Sequence, residues 1–189
     1  IMARVPVGNP IKRDRGAGSF TERQNSEVLR RWVAAEASTI TPTNDRESIS
    51  ERADRQVGTL GGGNHFIELQ TDENGQVWLM LHTGSRSLGK AICDKYHAHA
   101  AKENARWHTP LPDKDLAFLP LDDIGWGYMR DMRAAMDYAT ESRGRIEAAV
   151  YAALAASGLP TTPGERIETH HNFAAKERHM GKWVIVHRK

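Results

Sequence analysis

The chain has 189 residues and carries 26 Lys and Arg against 24 Asp and Glu, a formal charge of +2 with histidine neutral. That length can bury the core of one large or two small domains. The longest apolar run, residues 77–81, is far shorter than the ~20 residues of a membrane helix, and no leader-like pattern opens the chain, so neither a helical membrane anchor nor a secretory protein is expected.

A single cysteine, Cys93, excludes an internal disulfide and zinc sites built on cysteine pairs. Any metal must then be held by carboxylates and by some of the nine histidines. The chain opens on Ile1 and ends on the apolar, strand-like Val184-Ile185-Val186 before His187, which reads as a piece of a longer polypeptide.

Residues 1–20 combine Pro6, Gly8, Pro10, Gly16 and Gly18 with Arg4, Lys12, Arg13 and Arg15, a basic loop that no helix interior would tolerate. Val28, Leu29, Trp32 and Val33 predict an amphipathic helix over residues 21–38, capped by Thr21 with Glu22 in its first turn. A short helix is expected over 47–56. Two apolar runs, 66–70 and 76–81, flank Asn74-Gly75, the strongest short-range signal for a β-hairpin, and place His65 and His82 at its open end. Residues 88–106 read as a helix, followed by a loop with Pro110 and Pro112.

The longest helical stretch is 122–157, with Met129, Met132 and Met136 expected in the core and Gly125, Gly127 and Gly144 predicting a late start and a break. Segments 165–173 and 183–187 read as a second strand pair joined across Met180-Gly181-Lys182. Hairpins and helices that do not alternate as βαβ units give an α+β class, with mixed or antiparallel strands and packed helices.

Three clusters carry residues suited to chemistry. In Gly58-Thr59-Leu60-Gly61-Gly62-Gly63-Asn64-His65-Phe66-Ile67-Glu68 the glycines let the backbone turn sharply or approach a ligand, and His65 offers a metal or proton site. The same residues also read as a glycine-rich turn with a hydrogen-bonded histidine. His82-Thr83-Gly84-Ser85-Arg86-Ser87 joins a strand to a helix, where free N–H groups and a forked guanidinium suit a phosphate; the plainer reading is a turn with Ser85 or Ser87 as helix cap. In Thr169-His170-His171-Asn172, strand alternation would let only one of the two histidines face a given site. Three histidines at strand ends suit a divalent transition metal, although their spacing matches no local signature.

In this order, the clusters and the closing Val186-His187-Arg188-Lys189 resemble the RtcB-type RNA ligases, over nearly the whole chain from Val5-Pro6-Val7-Gly8 onward. The resemblance implies an RtcB-like α+β fold with a metal site at strand ends, and residues 1–189 as the central part of one catalytic domain lacking N- and C-terminal portions. It implies Mn²⁺, or Zn²⁺ or another divalent ion, on His65, His82 and His171. GTP would contact Asn64, His65, Phe66, Ile67, Glu68, His171 and Asn172, and Ser85 and Arg86 would hold a phosphate of nucleotide or RNA.

The implied partners are RNA ends, such as tRNA halves, in a cytoplasmic protein of RNA repair or tRNA splicing. In that family GMP passes from GTP to an enzyme histidine and then to an RNA 3′-phosphate, which a 5′-hydroxyl attacks.

The family's nucleophilic histidine and an upstream Asp-x-x-Cys ligand motif have no counterpart in this sequence, so these 189 residues alone are expected to form no covalent GMP adduct, with His187 the one substitute. Ser87 and Ser142 depart from the residues usual at their positions. Two other classes fit the same clusters: a metal-dependent phosphatase or cyclic phosphodiesterase, and a non-catalytic RNA- or nucleotide-binding remnant.

Overall fold

The computed structural model of the chain describes Val5, residues 24–35 and residues 43–188. The expected basic loop, except Val5, and the Thr21 cap with Glu22 lie outside the described residues. Helix α1 runs Glu27–Ala34, starting later than the pattern predicts. Asn25, at φ 53°, leaves the helical region, and Ser26 caps the helix by accepting from the Leu29 N–H at 3.2 Å. Tertiary contacts hold that start: the Ser26 N–H donates to Asp54 at 2.7 Å and its hydroxyl to Glu141 at 2.6 Å.

Helix α2, Thr43–Asp54, begins before the expected residue 47. Strands β1 (Phe66–Thr71) and β2 (Val77–His82) form the expected hairpin, in register Phe66↔His82 through Thr71↔Val77. Asp72 closes its turn by accepting from the N–H groups of Asn74 and Gln76, both at 2.9 Å.

Helix α3 spans Arg86–Arg106, and α4 runs unbroken for 34 residues, Asp123–Ala156. The expected late start and break are both absent. Asp122 caps α4 through the N–H groups of Ile124 and Gly125, and Gly125 is needed for close approach because a Cβ there would strike the Pro120 carbonyl. Strands β3 (Phe173–His179) and β4 (Lys182–Arg188) pair antiparallel from Phe173↔Arg188 to His179↔Lys182. Met180 and Gly181, at φ 49° and 80°, make the tight turn, so the strand expected over 165–173 begins only at Phe173.

The α+β class holds, with helices and two separate antiparallel hairpins. Among the described residues no helix is long and apolar enough to cross a membrane.

Helix α4 is the spine. Its first half packs Ala135 and Tyr138 against Leu29 and Trp32 of α1, Ala53 of α2, and Leu88, Ile92 and Tyr96 of α3. Buried Asp131 ties three helices together, accepting from Trp32 Nε1 and the Tyr96 hydroxyl, each at 2.9 Å. Its second half packs Ile146 and Val150 against Val5 and Leu60, with Ile67, Leu79 and Leu81 of the first hairpin over them. Met129, Met132 and Met136 are half-buried rather than core, because Met132 and Met136 face a cavity between the two clusters.

Candidate functional site

That cavity, about 680 Å³, opens between α4, the turn into α3, and the segment leading into β3. His82 reaches it from the end of β2. It pairs with Phe66 across the hairpin and shares its face, and the two rings stack with centroids 5.4 Å apart. His65 precedes β1, where left-handed Gly61 (φ 103°) and Gly63 (φ 76°) turn the chain and carry the imidazole to 6.0 Å from His82. His171 lies 5.6 Å from His82 on its other side.

Residues 169–172 are irregular, with Asn172 at φ 58°, so strand alternation does not apply. His170 and His171 line the same cavity, a correction to the expectation that only one would.

Nδ1 of His65 is buried without a hydrogen-bond partner. Burial, then the positive charge of Arg86, then His82 and His171, hold the His65 pKa below the usual histidine value, which favours a neutral ring with a free lone pair. Gly61 makes this arrangement possible, since a Cβ there would run into both the Arg86 guanidinium and His65 Nδ1.

The turn into α3 is stitched to residues 56–60. Thr83 donates its hydroxyl to the Leu60 carbonyl at 2.5 Å, Arg86 Nε donates to Thr59 Oγ1 at 3.1 Å, and the Ser87 hydroxyl donates to Gln56 Oε1 at 2.6 Å. Ser87 is thus a tether in this turn. Ser85 occupies the cap position without a side-chain cap bond, and Arg86 opens α3 at φ 54°, a costly conformation for a side chain other than glycine. Burial disfavours the Arg86 charge and lowers its pKa.

Across the cavity, Arg143 donates to the Thr83 carbonyl at 3.2 Å and through Nε and Nη2 to Glu168 at 2.9 and 2.5 Å. Thr140 Oγ1 lies 3.3 Å from His170 Nε2, and burial, then the Arg143 charge, pull the His170 pKa down.

The lining carries Arg86, Lys90 and Arg143, four imidazoles from His65, His82, His170 and His171, and no carboxylate. Lys90 pairs with Asp94 at 2.7 Å and Arg143 with Glu168, so among the described residues Arg86 is the lining cation without a carboxylate partner and the one suited to an anion. For a metal, the donor chemistry of clustered imidazoles and the orphaned His65 Nδ1 fit a divalent transition ion. Among the described residues, no three His, Cys, Asp or Glu side chains are arranged as a ready metal-binding group.

Asn172, Ser85 and Arg86 line the cavity, and Phe66 borders it through His82. Asn64 and Glu68 are exposed and outside the lining, Glu68 accepting from Gln70 at 2.7 Å, while Ile67 packs into the second core cluster. His187 is exposed on β4, opposite Ala174. His99, on α3, has a buried, unpartnered Nε2.

Sequence reasoning passed over Lys90, Cys93 and Arg143 as cavity residues. Arg143 had a signal: it follows Met132, Met136 and Ala139 on one helical stripe, where an arginine breaks an inward-facing apolar run.

A family model described as tRNA-splicing ligase RtcB matches residues 12–189. The RNA-splicing ligase RtcB of Escherichia coli is 34% identical over 200 residues, an alignment covering 100% of this chain and 48% of that protein. The tRNA-splicing ligase RtcB of Methanococcus maripaludis is 33% identical over 173 residues, with 78% and 36% covered. That of Pyrobaculum aerophilum is 29% identical over 204 residues, with 93% and 40% covered. The chain spans about half the length, or less, of these relatives.

Proposed function

We propose, for a chain that belongs to the tRNA-splicing ligase RtcB family, that the histidine cavity takes part in joining RNA ends, seating the terminal phosphate of one RNA strand and the phosphates of GTP. The ends are a 3′-phosphate or 2′,3′-cyclic phosphate and a 5′-hydroxyl, as produced in RNA repair or in tRNA halves. The observation that carries this reading is a cavity lined by four imidazoles and by Arg86, which among the described residues has no carboxylate partner, with Lys90 and Arg143 beside it paired to Asp94 and Glu168.

Arg86 presents a guanidinium pre-positioned by Thr59, and a forked donor suits two phosphate oxygens better than a lysine would. Arg143, held by Glu168 and the Thr83 carbonyl, fixes the opposite wall. Residues 169–172, anchored to α4 through Arg143 and Thr140, bring His171 and Asn172 to the same space. His65, His82 and His171 would hold Mn²⁺, with Zn²⁺ or another divalent ion as competitors. When bound, the ion neutralises phosphate charge and orients the displacement. Of residues 64–68, the exposed Asn64 and Glu68 would meet a base or ribose, Ile67 being packed into the core.

Calorimetry with a short RNA ending in a 3′-phosphate, compared with the same RNA ending in a 3′-hydroxyl, tests the reading. The phosphorylated end should bind more tightly, and Arg86→Ala should remove the difference. Equal affinity for the two ends would overturn it, and release of inorganic phosphate from the bound RNA would point instead to a phosphatase.

A further inference from the structure

Outside the cavity, the second hairpin and the start of α4 place two tryptophans around one lysine. Lys176 Nζ lies 5.5 Å from the Trp126 ring centroid and 5.4 Å from that of Trp183. Both indoles remain open to solvent, Trp126 at 37% and Trp183 at 64% exposure. In the β3–β4 register, Lys176, Arg178 and Trp183 share one face, because Arg178 stands opposite Trp183 and Lys176 lies two residues before Arg178. The acidic residue of β3, Glu177, is on the other face, occupied by Arg188 and His179.

Along α4, exposed Arg130 and Arg133 follow Trp126 at helical spacing, in a stripe bounded by Asp123 and Asp137. Among the described residues, Arg130, Arg133 and Arg178 are paired with no carboxylate.

Along the chain this face lies close to the cavity. Asn172 lines the cavity immediately before β3, and Lys176 lies four residues further, about 13 Å along an extended chain. On α4, Trp126 is six residues, about 9 Å, from cavity-lining Met132. Flat aromatic surfaces interleaved with unpaired cations are what a single strand of nucleic acid requires, since bases of any sequence stack on the rings while the backbone follows the charge.

We propose that the Trp126–Lys176–Trp183 face binds the single-stranded RNA leading away from the cavity, with bases stacked on Trp183 and Trp126 and phosphates on Lys176, Arg178 and Arg130. The inference rests on the reading of the cavity as a seat for an RNA terminal phosphate. The face supplies strand affinity without sequence preference, and the cavity selects the end.

Fluorescence anisotropy with two labelled RNAs, a 3′-phosphorylated dinucleotide and a 3′-phosphorylated decamer, separates the two claims. The decamer should bind more tightly than the dinucleotide. Trp183→Ala should weaken the decamer by about tenfold or more and leave the dinucleotide unchanged. Lys176→Gln, which spares both indoles, should make the salt dependence of decamer binding shallower by about 0.7 in log–log slope. Unchanged decamer affinity and salt slope in both variants would overturn this inference and leave the cavity reading standing. Loss of self-association in the variants with decamer binding intact would also overturn it and assign the face to a second copy. Failure of the unmodified protein to bind either RNA would overturn both.

Discussion

Ser142, buried on α4, accepts a 3.0 Å hydrogen bond from the backbone N–H of Gly58, 84 residues earlier in the chain. The bond pins the start of the glycine-rich loop to the helical spine. It also answers the question raised by a serine at this position, because its hydroxyl makes a polar contact from the long helix. Ser142→Ala would orphan a buried N–H and should lower unfolding stability by about 1–3 kcal/mol in urea titration. An unchanged midpoint would show that the loop is held elsewhere.

Gly61 and Gly63 offer a paired test of the loop above His65. Both have positive φ, but a Cβ at Gly61 would meet Arg86 and His65, whereas a Cβ at Gly63 would meet nothing within 4 Å. Gly63→Ala should therefore cost about 1–2 kcal/mol of backbone strain and leave anion binding in the cavity intact. Gly61→Ala should carry that strain and also weaken inorganic phosphate binding, measured by calorimetry. Equal phosphate affinity in the two variants would contradict the packing described for Gly61.

The Glu168–Arg143 pair predicts a pH dependence. Burial pushes the Glu168 pKa up, but hydrogen bonding and charge from Arg143, with help from Thr140 and Arg166, outweigh it and hold the pKa below the usual 4.5. A depressed carboxylate pKa stabilises the fold fully above the unfolded value and loses that contribution as pH falls through the folded value. Glu168→Gln should cost about 1 kcal/mol or less at about pH 7, because solvent screens a pair this exposed, and the difference from the parent should shrink as the pH falls through the folded value. A difference independent of pH would assign the role of Glu168 to packing.

The hairpin that carries His82 was legible because Asn74-Gly75 leaves a two-stranded apolar pattern few alternatives, and the register follows from the turn. The beginnings of helices were less so. Ser26 replaces the expected cap because Asp54 and Glu141, distant in sequence, hold it. Gly125, read as a late start, is instead a close contact with Pro120, and no local pattern distinguishes the two.

At the cavity, His65 and His82 followed from motif and hairpin geometry together. His170 did not, because the strand assumed to sort it from His171 begins only at Phe173. Lys90 and Arg143 sit on different helices whose packing angle no sequence pattern supplies, so their meeting at one cavity appears only in three dimensions.

The central claim, that the cavity is where GTP and a divalent ion meet, is tested most directly by calorimetric titration of GTP with and without MnCl₂, on the unmodified protein and on His82→Ala. GTP should bind only in the presence of Mn²⁺, should not bind His82→Ala, and should bind Asn64→Ala more weakly. GTP affinity that is the same with and without Mn²⁺ and unaltered by His82→Ala would contradict it.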